Sequence, residues 1–305
     1  MRVFVTGASG HIGSAVVPEL IRAGHRVVGL ARSDASADTL ALAGADVHRG
    51  DLDDLDGLAA AGAAADGVIH LAFKHEIAFT GDYLAAAASD RRAIEAIGAA
   101  LAGSGKPFVS TGGTLTLGAA GVAGRPANEH DRLGEGPRVD AENAVIAMAE
   151  TGVRSSVVRL SPLVHSSLDH HGFAPILIRV AREKGISGYV GEGSNRWPAV
   201  HTLDAARLYR LALESATAGS ILHGVADEGV PFREIAESIA RKLSVPSVSV
   251  APGDAFEHFG FLGAFAAVDN PVSSALTREW LNWKPAHAGL IADLEEDHYF
   301  AAVAA

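Results

Sequence analysis

From Arg2 onward the chain alternates short β-branched runs with longer stretches whose apolar residues recur at three- and four-residue spacing. Residues 2–6 predict a strand, 12–23 a helix and 26–31 a second strand. Further strands are predicted at 46–48, 67–72, 106–111 and 155–160. Strands separated by helices of about 10–15 residues make a parallel sheet covered on both faces, an α/β fold. Pro18 falls within the first helical pattern, where its missing N–H predicts a mild kink. In such sheets ligands bind at the carboxyl ends of strands, where residues 68–72 and 108–111 run from apolar into small or polar side chains. Beyond about Leu160 glycine, proline and histidine become frequent and the alternation loosens. The expected organisation is a main domain of residues 1–162 plus about 199–225, with 163–198 and 226–305 forming a smaller, substrate-covering lobe. Residues 163–193 and 226–282 carry most of that lobe.

Between the first strand and first helix stands Val5-Thr6-Gly7-Ala8-Ser9-Gly10-His11-Ile12-Gly13. Gly7 permits a tight turn, Gly10 lets backbone approach a pyrophosphate, and Gly13 lets helix and strand pack closely. Ser9, His11 and Ile12 complete the loop that would hold the phosphates. Where a domain selective for NAD usually carries an acid after its second strand, this chain has Ala31-Arg32-Ser33. An arginine fork suits a 2′-phosphate, so NADP(H) is expected over NAD(H), with Arg32 and Ser33 in contact. Asp51 and Leu52, after the third strand, would border the adenine.

Composition narrows the partners. The 305 residues include no cysteine, which removes disulfides, thiolate metal sites and cysteine nucleophiles. Lys and Arg total 25 against 36 Asp and Glu, a net charge of -11 that disfavours a nucleic acid. No apolar run approaches the roughly 20 residues of a membrane span, and the first strand begins at once, so a cytoplasmic enzyme on a small-molecule substrate is expected. Fourteen histidines invite a metal reading, but His170-His171 with Asp169 lacks the spacing that aims neighbours at one ion, and no metal is expected.

The order of motifs resembles the extended short-chain dehydrogenase/reductases, also called the NAD-dependent epimerase/dehydratase family. The resemblance rests on Thr6-Gly7-x-x-Gly10-x-x-Gly13, Gly50-Asp51-Leu52, His70-Leu71-Ala72, Ser110-Thr111, Val158-Arg159-Leu160-Ser161-Pro162 and Val200-His201 with Asp204-Ala205-Ala206. It implies a Rossmann-type, doubly wound parallel sheet with a smaller C-terminal substrate-binding lobe. It also implies that Leu71, Ala72 and Phe73 run along the cofactor, with Lys74 just beyond, and that Pro162, Leu163, Val164 and His165 lie beside the nicotinamide.

The family's usual machinery is a Ser or Thr after the fifth strand and a Tyr-x-x-x-Lys pair on the next helix. Thr111 matches the first. The helix reads Arg138-Val139-Asp140-Ala141-Glu142, and no tyrosine occurs between Tyr83 and Tyr189, so the dyad is absent. Thr111 could then orient a substrate oxygen, and Arg138 could stabilise it as a permanent cation. Glu142 reads either as a buried acid or as the i,i+4 partner of Arg138. His165 is a candidate proton donor, while His70 and His201 read as structural. Residues 188–197 should line the substrate pocket, with Arg196 their single cation and Tyr189 and Trp197 able to stack on a ligand or enter a core. Trp280 and Trp283 read as core of the C-terminal lobe.

These features favour an NADPH-dependent reductase of a small carbonyl, imine or quinone-type group. The alternatives are an NADP(H)-binding sensor or scaffold without turnover and a sugar-nucleotide epimerase or dehydratase. A homodimer through residues 83–102 and 138–150 is compatible with Ala141, Ala144, Val145 and Met148, but that stripe equally suits burial against the sheet.

Overall fold

The computed structural model describes residues 1–79, 81–121 and 125–301, with backbone alone for Phe79. The strands are β1 (Arg2–Thr6), β2 (Arg26–Ala31), β3 (Asp46–Arg49), β4 (Gly67–His70), β5 (Pro107–Gly113), β6 (Arg154–Leu160), β7 (Leu163–His165), β8 (Ser187–Val190), β9 (Arg196–His201), β10 (Ser220–Gly224), β11 (Asp227–Pro231) and β12 (Ser247–Val250). Seven of them form one parallel sheet in the order β10-β6-β5-β4-β1-β2-β3. Strand order therefore reverses between β1 and β4, which opens a crevice at their carboxyl ends.

Alternation along β1 shows why both faces are covered. Val3 and Val5 enter one cluster with Val16, Leu20 and Tyr209, while Phe4 enters the opposite cluster with Leu58, Ile94 and Ile97. The first face is closed by α1 (His11–Arg22), and the second by residues 55–64 together with 83–101. We label the helices in chain order: α2 (Asp34–Leu42), α3 (Leu55–Ala64), α4 (His75–Phe79), α5 (Tyr83–Leu101), α6 (Leu115–Ala119), α7 (Pro137–Ala147), α8 (Phe173–Lys184) and α9 (Thr202–Ser215). Helix α1 spans Pro18 as one element. Ala141, Val145 and Met148 are buried in the same cluster as α5, so the α7 stripe packs within this chain.

After β6 the chain leaves for a lobe built on the three-stranded sheet β11-β9-β7 and the pair β12-β8. It returns with α9, which lies on the main sheet beside α1, and β10 then completes that sheet. Trp197, Phe232 and Phe259 centre the lobe's core. Trp197 is fully buried and Tyr189 nearly so, so both are packing residues rather than ligand stackers. The C-terminal tryptophans separate. Trp283 packs into the main-sheet cluster and its Nε1 donates to Asp204 O at 3.0 Å, whereas Trp280 stays 45% exposed against His130. Among the described residues no helix is long and apolar enough to cross a membrane.

Candidate functional site

The crevice between β1 and β4 is shaped by backbone. Gly7 sits at φ +66°, and a Cβ there would meet the Ala72 amide nitrogen at 2.7 Å. A Cβ on Gly13 would meet Gly7 O at 2.2 Å and Ala8 O at 2.5 Å. The loop is thus pressed between the end of β4 and the first turn of α1. Gly10 caps that helix with no side-chain bond to its amides. The first-turn N–H groups of a helix have no intrahelical partner and carry the positive end of its dipole, so this cradle suits a pyrophosphate. Ser9, His11 and Ile12 lie on it, and Leu71, Ala72 and Phe73 follow from β4 along its other side.

At the adenosine end, Arg32 follows β2 with its side chain 68% exposed and its Nη1 against Glu76 Oε1 of α4. That guanidinium holds the Glu76 carboxyl below its ordinary range. Ser33 caps α2, its Oγ accepting from Ser36 N at 3.2 Å. Asp51 is exposed and its Oδ1 accepts from Asp53 N, whereas Leu52 is buried among Val28 and Leu30. Lys74 donates to Asp53 at 2.6 Å. Arg32, Ser33 and Asp51 are thus exposed polar residues after β2 and β3, whereas Leu52 is core and Lys74 is tied to a carboxylate.

From the cradle a polar chain crosses to α7. The Ala72 amide donates to Thr6 Oγ1 at 3.2 Å, and that hydroxyl meets His70 Nδ1 at 2.9 Å. His70 Nε2 meets Asp90 Oδ1 at 3.0 Å. A carboxylate only accepts, so Nε2 carries the proton and, in the neutral ring, Nδ1 accepts from Thr6. The other Asp90 oxygen accepts from Arg138 Nη1 at 3.0 Å, and Arg138 Nη2 donates to Thr111 O at 2.8 Å. The guanidinium carbon stands 4.3 Å from the centre of the Phe73 ring. Register places these groups together, since Thr6 pairs with His70 and His70 with Ser110.

The profile of the NAD-dependent epimerase/dehydratase family matches residues 3–223. The chain belongs to this family. Its sequence is 49% identical to Uncharacterized protein C2A9.02 of Schizosaccharomyces pombe over 300 residues, 98% of this chain and 100% of that one. It is 44% identical to Uncharacterized protein YLL056C of Saccharomyces cerevisiae, over 98% and 99% of the two chains. The fold is similar to that of DesIV, a dTDP-glucose 4,6-dehydratase of Streptomyces venezuelae solved with NAD, at TM-score 0.76 and 19% identity over 97% and 95% of the chains. It is equally close to a UDP-glucose 4-epimerase of Thermotoga maritima, at TM-score 0.75 and 18% identity over 97% and 96%. Membership makes the chain an NAD(P)-dependent enzyme in the broad sense and fixes neither substrate nor reaction.

The side chains expected at the reactive end find partners that local spacing does not predict. Glu142 does not pair with Arg138: it is buried against Arg159 of β6, whose Nε donates to both carboxylate oxygens at 3.1 and 2.9 Å. Gly112 leaves the room, as a Cβ there would reach Glu142 Oε2 at 2.9 Å. Glu142 is therefore a structural ion-pair member and not an acid at the crevice. Thr111 reaches the site with its proton already placed. It donates to His70 O at 2.9 Å, so the buried Tyr209 hydroxyl donates to it at 2.8 Å. Thr111 faces a ligand as an acceptor, not as the expected donor.

His165 is also relocated. Pairing of β7 with β9 turns it into the lobe, fully buried, with Nδ1 against Asp293 Oδ2 at 2.9 Å, and its Nε2 has no hydrogen-bond partner among the described residues. Leu163 is core beside it, while Pro162 and Val164 keep partial exposure at the chain's exit from β6. His70 is buried as expected. His201 caps α9 and stacks on His287 at 4.6 Å, and burial, with His165 nearby, lowers its pKa to about 4.

One contact joins cradle and lobe. Ser166 Oγ donates to Thr202 Oγ1, and Thr202 donates to His165 O. His11 Nε2, 3.0 Å from Thr202 Oγ1, must then donate. That leaves His11 Nδ1 facing Asp169 Oδ1 at 3.6 Å, an acceptor against an acceptor unless a proton lies between them. Burial agrees: it lowers His11 to about 4, helped by His170, His171 and His165, and it raises Asp169 to about 6.

Sequence reasoning missed Asp90 and Tyr209, and weighed Asp169 only as a metal ligand. Asp90 alone left a signal, an acidic residue in the otherwise alanine-rich start of a helix. No group of three His, Asp or Glu side chains among the described residues is arranged to hold a metal ion.

Proposed function

We propose that the protein is an NADPH-dependent oxidoreductase that reduces a small carbonyl, imine or quinone-type substrate. The observation that carries this reading is Arg138, held by Asp90 and Thr111 O beside the cradle, where the family's reactive residue would stand. Bound NADPH supplies hydride. Arg138 offers a fixed positive charge to the oxygen that gains negative charge, and with no titratable proton near neutrality it is no base for oxidising an alcohol. Arg32 supports the phosphorylated cofactor, in competition with Glu76.

A sugar-nucleotide substrate, as carried by several fold neighbours, is less well supported. Arg196, the single cation of residues 188–197, is bound in a two-point pair by Asp269 at 3.0 and 2.8 Å. A second reading, an NADP(H)-binding sensor without turnover, draws on Asp90, which offsets the Arg138 charge.

The test is NADPH oxidation against ketones, aldehydes, imines and quinones. With a turned-over substrate, Arg138→Met should lose about 100-fold in kcat while cofactor affinity holds. Arg32→Ala should weaken NADPH binding about tenfold and leave NADH nearly unchanged. Bound NADPH that no acceptor oxidises would favour the sensor.

A further inference from the structure

Reduction of a carbonyl needs a proton as well as a hydride, and the residues at the dyad positions cannot give one. Arg138 holds its protons throughout the accessible pH range. Glu142 is locked to Arg159, the Thr111 proton is spent on His70 O, and Tyr209 lies fully inside the core.

Helix α5 offers another donor. Asp82 caps it, its Oδ1 accepting from Ala85 N at 3.1 Å, which fixes Tyr83 at the first helical position. Seven residues separate Tyr83 from Asp90, two turns of helix, so the two share a face. Asp90 on that face binds Arg138. Tyr83 lies with its ring centre 6.3 Å from that of Phe73, and Phe73 carries the Arg138 guanidinium 4.3 Å from its centre. The phenol is 43% exposed, whereas Tyr189, Tyr209 and Tyr299 are buried.

We propose that Tyr83 is the proton donor of this site and that Arg138 is the cation that holds its phenolate, a pair assembled across α5 and α7. The assignment rests on the reductase reading above. Hydride adds to the carbonyl carbon, the C=O π pair moves to oxygen, and that oxygen takes the proton from Tyr83 Oη. The phenolate left beside Arg138 regains its proton from water at the exposed edge of the ring, so one NADPH and one proton are consumed for each alcohol formed. Burial raises the Tyr83 phenol while Arg138 opposes the rise, so the donor is protonated at neutral pH and its conjugate base has a counter-charge. His75 stands on the other side of Phe73, ring centres 5.0 Å apart, and is the rival donor.

The experiment joins turnover to a readout that needs none, the ultraviolet titration of tyrosinate from about pH 8 to 12 in wild type, Tyr83→Phe and Arg138→Met. Tyr83→Phe should lose about 100-fold in kcat with KM and NADPH affinity within about threefold, and should remove one phenol from the titration. Arg138→Met should move that phenol to higher pH. In an enzyme that turns over, full activity of Tyr83→Phe overturns the donor, as does a loss of the pH profile's proton-donating limb in His75→Gln instead. An unmoved phenol in Arg138→Met overturns the pair. A protein that oxidises no NADPH overturns the reductase reading and the donor role together, a result separable from the other two.

Discussion

The two ends of the crevice are built from different materials. The glycine-loop end is shaped chiefly by backbone: Gly7 and Gly13 clear space against carbonyls and amides. The reactive end is side chains from β4, β5, α5 and α7, whose partners are chosen across the fold. Backbone needs translate into fixed residue types at fixed spacing. Side-chain networks take partners that no local spacing fixes, as the Arg138 and Glu142 pairs show.

The largest effect should come from the pair that left the crevice. Arg159→Met strands the buried Glu142 carboxylate and should cost about 3–5 kcal/mol in urea unfolding. Arg138→Met, mostly buried but leaving the Asp90 carboxylate its His70 partner, should cost less, about 1–3 kcal/mol. Equal losses would mean both pairs are structural and would erase the distinction. Gly13→Ala comes next, because its Cβ has to displace the Gly7 and Ala8 carbonyls. About 1–3 kcal/mol of stability should be lost, together with at least a tenfold loss in NADPH affinity by fluorescence titration.

Asp169→Asn tests the seam between cradle and lobe. Raised to about 6, the Asp169 carboxyl binds more protons folded than unfolded between about pH 4 and 6, so its contribution to stability falls as pH rises and its cost is complete above that window. Relative to wild type the variant should therefore gain about 1–3 kcal/mol between pH 4 and 7 in denaturation at stepped pH. His11, lowered to about 4, slopes the other way.

The division between the two ends also sets what could be read from sequence. The strands at 26–31 and 2–6 and the glycine loop were legible because period and spacing are local properties. The lobe was legible only as a change of texture. Glu142 with Arg159, seventeen residues away, and His165 with Asp293, 128 residues away, depend on which strands become neighbours. Leu52 reads with Asp51 as an adenine contact because both follow the third strand, yet in the turn there Leu52 packs inward on Val28 and Leu30 while Asp51 stays exposed. Trp283 misled similarly: it is late in the chain but packs on α9 through Asp204.

The placement of β10 has a consequence for the chain as it is made. Its partner β6 ends at Leu160, but β10 begins at Ser220, after the lobe's first helix, three of its strands and α9 have been synthesised. Until then β6 is an open edge, a row of unpaired amides and carbonyls of the kind that recruits other chains. The growing polypeptide must carry that vulnerable border through some sixty residues of translation before its own next strand arrives to seal it.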